Sequence, residues 1–303
     1  MLPENVKAIL EKQKYRIAGN HSAVKLCTWT KKSLRGEGVC YKEKFYGIKC
    51  HRCLQMTPAV SWCPNRCVFC WRAIEKTLGP EMTGTVDTPE TILEAAIAAQ
   101  RNLLTGFKGF AGTDMKKWKE AQDPNQIAIS LTGEPTAYPL ISDLIDLCNR
   151  KKMTTFLVTN GQFPDRLENM ASPYQMYLSV DAPTKEMYRK IDAPIFKDYW
   201  ERFTKTVDLM SSFTSRKAVR LTLVKGMNMS HIKEYAKIIE KINPNFVEVK
   251  AYMNVGYSKY RLSRDAMPLH SEVKEFSEKL KDELSYNLTN ESAPSRVVLL
   301  SRK

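Results

Sequence analysis

The segment SWCPNRCVFCWR (residues 61–72) sets Cys63, Cys67 and Cys70 in a C-x3-C-x2-C spacing, with Phe69 just before the third cysteine. Three thiolates on one short loop can wrap a single metal centre. A structural zinc site asks for a fourth Cys or His at short range. Three ligands on a [4Fe–4S] cluster leave one iron open to take a substrate or cofactor. The loop directly follows a β-rich run, MTPAVSW (56–62), so it sits where an α/β sheet binds ligands, at the carboxyl end of a strand.

The alternation continues outward from that loop. Strands are expected over 126–131 (QIAISL), 154–159 (TTFLVT), 175–180 (QMYLSV), 218–224 (AVRLTLV) and 246–253 (FVEVKAYM). Helices are expected over 88–104, opened by Thr88 and Pro89, and over 138–150, 196–212 and 230–242, the last capped by Ser230 and stopped near Asn243-Pro244. A further helix is expected over 271–284 and a final strand over 295–301. Apolar strands alternating with amphipathic helices imply a parallel sheet with helices outside it. Six such units are too few for a closed eightfold barrel. The expected fold is therefore α/β, a partial (β/α)6 TIM-like barrel, with a flat doubly wound sheet as the second choice. The chain divides into a basic extension over 1–55, a barrel core over 56–260 and a C-terminal helix and strand over 261–303.

Eight cysteines occur in 303 residues, and seven lie within residues 27–70. Cys148 stands alone on the apolar stripe of a helix and reads as core. The N-terminus lacks the apolar stretch of a secretory signal, so a cytoplasmic chain with reduced thiols is expected. The remaining gathered cysteines, Cys27, Cys40, Cys50 and Cys53, therefore read as metal ligands. A composition of 43% apolar, 10% aromatic and 26% charged residues excludes disordered and collagenous classes. No run approaches the ~18 apolar residues of a membrane span. The formal charge is +14, and residues 1–55 hold 12 Lys or Arg against 4 Asp or Glu. That local excess concentrates polyanions, nucleic acid first. Trp29, Tyr41, Phe45 and Tyr46 interleave with the charges, as they would in a site that stacks an unpaired base or packs around a cluster. His21, His51, His231 and His270 show no ligand spacing.

The cysteine loop resembles that of the radical SAM superfamily, in which the open iron chelates S-adenosylmethionine (SAM). Other stretches fit the same pattern. Thr132, Gly133 and Glu134, in LTGEPT, resemble the superfamily motif that holds the methionine amino group, with Thr132 in place of a first glycine. Asn160, Ser179, Asp181 and Asn228 fall at strand ends or in the following loop, where the superfamily binds SAM, and Met253 is placed to flank the adenine. The combination of CYKEKFYGI, HRCLQMTP, the cysteine loop and LTGEPT resembles, over nearly the whole chain, the wybutosine-synthesising radical SAM enzymes, the tRNA 4-demethylwyosine synthases.

That resemblance implies a second [4Fe–4S] cluster on Cys27, Cys40 and Cys53. Cys50 falls outside the family pattern and leaves a choice between Cys50 and Cys53 as the third ligand, with Cys53 favoured. It implies a lyase joining pyruvate to 1-methylguanosine-37 of tRNA-Phe, with Lys42 holding pyruvate as a Schiff base. An amine nucleophile is helped by neighbouring cations, and Lys44 lies two residues on. It also implies a monomer that grips the anticodon stem-loop, acts away from membranes, and takes electrons from a separate flavodoxin- or ferredoxin-type donor. Two other readings remain open at this level. One is a different two-cluster radical SAM enzyme, such as a glycyl-radical activase. The other is a non-catalytic zinc and RNA-binding protein.

Overall fold

The computed structural model describes residues 2–302. They form two compact units: one runs to Trp62 and takes in Glu81–Val158 and Asn169–Tyr174, and the other comprises Cys63–Pro80, Thr159–Glu168 and the chain from Gln175 onward.

The first unit contains α1 (Glu4–Lys12), β1 (Arg16–Ala18), β2 (Ser22–Val24), α2 (Thr28–Leu34), α3 (Tyr41–Tyr46), β3 (Cys53–Thr57), α4 (Pro89–Lys108), α5 (Met115–Ala121), β4 (Gln126–Ile129), α6 (Ile141–Arg150) and β5 (Thr154–Thr159). β3, β4 and β5 run parallel, with Cys53 opposite Gln126 and Ile127 opposite Thr155. Every residue of β4 is buried, as expected of a strand covered on both faces. β1 and β2 form an antiparallel hairpin that extends the sheet from β3. Three-residue strands carry too little alternation to be read in sequence. The Thr88 hydroxyl accepts the Thr91 N–H at the start of α4, and Pro89 occupies the first turn. Ile92, Leu93, Ala96 and Leu104 then bury one face.

The strand expected over 56–62 requires correction. It spans Cys53–Thr57, and the chain from Pro58 bends and turns. Proline has no N–H to give to a ladder. The shift makes Cys53 the first residue of β3.

The second unit contains α7 (Pro164–Leu167), β6 (Gln175–Ser179), α8 (Lys185–Ile191), α9 (Tyr199–Ser212), β7 (Arg216–Leu223), α10 (Ile232–Ile242), β8 (Phe246–Ala251), α11 (His270–Asp282), β9 (Tyr286–Ser292) and β10 (Val297–Arg302). β6, β7 and β8 are parallel. The expected final strand is β10, but it runs antiparallel to β8 and pairs outward with β9. The polar β9 sequence, YNLTNES, gave no strand signal. Ser230 does not cap α10. The N-cap is His231 at φ +60, and the Ser230 hydroxyl bonds to its Nδ1 at 2.8 Å. Cys148 is fully buried on α6, as expected of a core residue. Among the described residues, no helix is long and apolar enough to cross a membrane.

Candidate metal-cluster sites

The cysteine loop of the second unit is pinned from two sides. Arg66 N–H donates to Asp192 O at 2.9 Å, Val68 N–H to Ile191 O at 2.8 Å, and Ile195 N–H to Pro64 O at 2.7 Å. From the other side, Arg261 donates to the carbonyls of Val68, Cys70 and Arg72 and pairs with Glu75 at 3.1 Å. Tyr257 N–H donates to Trp71 O at 2.9 Å. Gly256 lies at φ +60, and a Cβ there would fall 2.3 Å from the Trp71 carbonyl oxygen. Only glycine permits that approach.

Cys63, Cys67 and Cys70 act on one another through space, and burial pushes the Cys67 thiol well above its ordinary value, with Asp192 and the other two cysteines adding to it. The Cys67 thiol donates to Asp192 Oδ1 at 3.2 Å. A thiolate there needs positive compensation, which iron supplies on binding. A second compensating charge is already present. Arg72 is buried at 8% exposure, and its guanidinium donates to Asn65 O at 3.1 Å and Thr77 Oγ1 at 3.2 Å, both neutral. Burial would lower its pKa, but Cys63, Cys70 and Cys67 reverse the effect and raise it. A buried guanidinium is costly without an anion beside it. Three thiolates on one loop supply that anion, so the donor set fits a [4Fe–4S] cluster. No three His, Cys, Asp or Glu side chains converge on a single-ion point among the described residues. A four-iron cluster does not ask for that, because each thiolate takes its own iron.

Arg72 was not singled out from sequence, where one arginine among many carries no signal of burial. With Arg72→Gln, the midpoint potential of this cluster should move negative by on the order of tens of millivolts, since a nearby positive charge favours the reduced form. Arg72→Lys should restore most of the shift in an EPR-monitored redox titration. An unchanged potential in Arg72→Gln would remove the charge from any role at the cluster.

Five expected SAM residues share this unit, Asn160, Ser179, Asp181, Asn228 and Met253. Asn160 Nδ2 donates to Cys63 Sγ at 3.7 Å, which joins the end of β5 to the cysteine loop. Ser179 is half-buried at the end of β6. Asp181 accepts the Thr222 N–H at 2.7 Å, and burial raises its carboxyl to about 6 against the opposing pull of Thr222 and Arg220. Asn228 is fully buried, and its amide serves the backbone. Nδ2 donates to Asp181 O and Thr222 O, both at 2.8 Å, and Oδ1 accepts the Val224 N–H at 2.6 Å. Both of its amide hydrogens are engaged, and the amide ties the Asp181 and Thr222 carbonyls together. Met253, after β8, is half-buried.

Thr132, Gly133 and Glu134 follow β4 in the first unit. Gly133 sits at φ +68, where a Cβ would meet Ala59 O at 1.8 Å. Glu134 N–H donates to Trp62 O at 2.8 Å, and its buried carboxylate accepts the Thr136 N–H at 3.0 Å and the Thr136 hydroxyl at 2.6 Å. The segment is thus a tight turn packed against the chain that leads into the cysteine loop, as well as a candidate ammonium site.

The first unit also gathers the second cysteine set. Cys27 and Cys40 precede α2 and α3 as their N-cap residues, and Cys53 opens β3. Burial raises the Cys53 thiol, Lys42 opposes that shift, and Cys27, Cys40 and Cys50 add to it, so all five residues lie within electrostatic reach of one point. Cys50 differs from the other cysteines of the set. It is 2% exposed, its sulfur accepts the Cys40 N–H at 3.4 Å and faces Trp29 O at 4.0 Å, and burial pushes its thiol up to about 12. Its N–H donates to Glu43 Oε2 at 2.8 Å. Cys50 pins the turn. Lys42 is half-buried on α3, with Nζ 4.8 Å from the centroid of the Phe156 ring. Lys44 is exposed, and helix residues two apart do not face each other.

The histidines have structural partners. His21 Nδ1 lies 2.6 Å from Pro58 O, and Nε2 accepts the Asp87 N–H at 2.8 Å. His51 bonds to Glu120 at 2.7 Å.

Comparison with known proteins agrees with this geometry. Residues 58–239 match the radical SAM superfamily model, and residues 241–302 match the model for wyosine base formation. The chain is 49% identical to the S-adenosyl-L-methionine-dependent tRNA 4-demethylwyosine synthase of Pyrococcus abyssi, over 99% of this chain and 90% of that protein. It is 40% identical to human TYW1 over all of this chain and 42% of that protein. A solved structure of TYW1 with a lysine-pyruvate adduct bound superposes with a TM-score of 0.91 at 38% identity, covering 100% of this chain and 97% of that one. A crystal structure of archaeal TYW1 gives 0.83 at 35% identity, with the same coverage. The α/β fold expected from the alternating strands and helices is that of these structures, and the chain belongs to the tRNA 4-demethylwyosine synthase family of radical SAM enzymes.

Proposed function

We propose that this chain forms 4-demethylwyosine from 1-methylguanosine-37 of tRNA-Phe and pyruvate, in wybutosine biosynthesis. The observation that carries this reading is Lys42. It is half-buried against Phe156 and close enough to act on Cys53 electrostatically, in a chain 38% identical to a TYW1 that holds a lysine-pyruvate adduct. Lys42 Nζ attacks the pyruvate carbonyl and water leaves, so the substrate is fixed as an imine. Cys63, Cys67 and Cys70 hold the SAM cluster. Thr132, Gly133, Glu134, Asn160, Ser179 and Asp181 bind SAM, and the Asn228 amide ties the Asp181 and Thr222 carbonyls together. The cluster and SAM, once held there and reduced, would supply the radical chemistry that activates the N1-methyl group. Cys27, Cys40 and Cys53 hold a second [4Fe–4S] cluster, and Cys50, 2% exposed with its N–H on Glu43 and its sulfur on the Cys40 N–H, is a structural pin of the turn. The basic extension over 1–55 and the segment over 261–303 serve the core over 56–260. The enzyme works as a cytoplasmic monomer with an external flavodoxin- or ferredoxin-type donor.

The deciding experiment is anaerobic. Reconstituted protein, SAM, dithionite, pyruvate and tRNA-Phe carrying 1-methylguanosine-37 should give the tricyclic nucleoside by mass analysis. Omitting pyruvate should abolish it. Replacing Cys27, Cys40 and Cys53 together should remove roughly half of about eight irons and all product while sparing some SAM cleavage. Cys50→Ser should keep its iron. Product from the triple variant would rule out a catalytic second cluster.

A further inference from the structure

The last turn of α4 and the loop that leads to α5 read GFKGFAGT (106–113), outside both cysteine sets. Phe110 lies on it 51% exposed. A single exposed aromatic is ordinary on a protein surface, and what distinguishes this one is the set of cations around it. The loop is not loosely attached. Thr113 Oγ1 donates to Phe107 O at 2.7 Å, and Asp114 N–H donates to Leu34 O at 2.7 Å, which ties the loop to the end of α2. Beneath it, Leu26, Leu34, Leu104 and Ala121 form a buried cluster against which Phe107 and Trp118 pack. The aromatic ring is therefore presented from a rigid base.

The surroundings of that ring are cationic. The Arg35 guanidinium carbon lies 5.1 Å from the centroid of Phe110 and 5.5 Å from that of Phe107. Lys108 Nζ lies 5.8 Å from the ring centroid of Trp118. α5 reads MKKWKEA and exposes Lys116 and Lys119. The same face adjoins the second cysteine set. Thr30 Oγ1 on α2 donates to Cys50 O at 3.1 Å, and Glu120 on α5 bonds to His51 at 2.7 Å.

We propose that this face, centred on Phe110 and Arg35, is a docking surface for the anticodon arm of the tRNA substrate, with Phe110 stacking on an unpaired loop base and Lys116 and Lys119 meeting phosphates. The inference rests on the reading that the substrate is tRNA, and it adds which residues receive it. A solvent-facing phenyl ring with a guanidinium beside it suits an unpaired base, because stacking accepts any base and the cation strengthens it. The cations around the ring, Arg35, Lys108, Lys116 and Lys119, complement a polyanion. A duplex offers phosphates but no free base face.

The test uses full-length protein with two RNAs: the tRNA-Phe anticodon stem-loop and a blunt duplex of equal nucleotide count. Binding is read across a salt series. Phe110→Leu should weaken stem-loop binding at least about fivefold and leave duplex binding unchanged, and Phe110→Trp should restore it. Lys116→Gln with Lys119→Gln should weaken both RNAs and reduce the log–log salt slope by roughly 1–2. SAM cleavage without RNA should stay at the wild-type rate in every variant, since none of these residues belongs to the cluster machinery. If wild-type protein binds the stem-loop while all variants match it in affinity and slope, the docking surface is overturned and the substrate reading stands. If wild-type protein binds neither RNA, the substrate reading and the surface fall together.

Discussion

Replacing Cys63, Cys67 or Cys70 by Ala should abolish cleavage of SAM to 5′-deoxyadenosine, with product formation falling to background in each variant. The expectation follows from how the loop is built. The three thiols sit within mutual electrostatic reach and flank the buried Arg72 guanidinium. Removing one ligand leaves a cluster with two attachments and opens a second iron to solvent. It also leaves the buried cation with less anionic charge beside it, which is destabilising. The N-terminal set belongs to the other compact unit and should keep its iron. Total iron should therefore fall by roughly half, from about eight per chain. Cys148→Ala is the internal control. It lies on the buried face of α6, and its replacement should cost modest stability and no activity. Retained SAM cleavage in any of the three loop variants would end the assignment of this loop to the SAM cluster.

Lys42→Arg should make no product while binding tRNA almost normally. Arginine keeps the charge and can keep the contact with the Phe156 ring, but a guanidinium does not readily form an imine. The cation at this position also acts on Cys53. Lys42→Ala would therefore mix a lost charge with a lost nucleophile, and arginine separates the two. Iron content and SAM cleavage without tRNA should match wild type. Borohydride with labelled pyruvate should leave label on the Lys42 peptide of the wild-type protein and none on Lys42→Arg. Turnover of Lys42→Arg near the wild-type rate would remove the Schiff base and leave Lys42 as a phosphate contact. Label appearing on a different lysine would move the role to that residue.

Local pattern alone determined a good deal of this protein. The C-x3-C-x2-C spacing is covalent information, and it survives whatever the fold does. The parallel strands were legible because buried strands read as short apolar runs, and β4 through β8 lie within a few residues of where those runs place them. The α4 cap was legible because Thr88 and Pro89 act through their nearest neighbours. The clustering of Cys27, Cys40 and Cys53 was legible from family pattern.

Tertiary structure decided the rest, because the deciding contacts join residues far apart in the chain. Arg261 reaches the cysteine loop across 193 residues at Val68 O. Asp192 meets Cys67 across 125 residues. Asn228 reads in sequence as a ligand-binding loop amide, and only the fold shows both its hydrogens on backbone carbonyls and its oxygen on the Val224 N–H. Cys50 and Cys53 stand three positions apart and read alike in sequence, and only the fold gives Cys50 the Cys40 N–H as a partner and makes Cys53 the first residue of β3. Arg72 is one of many basic residues in a chain of net charge +14. What sets it apart is desolvation beside three thiols, a property of the folded environment that residue spacing does not encode.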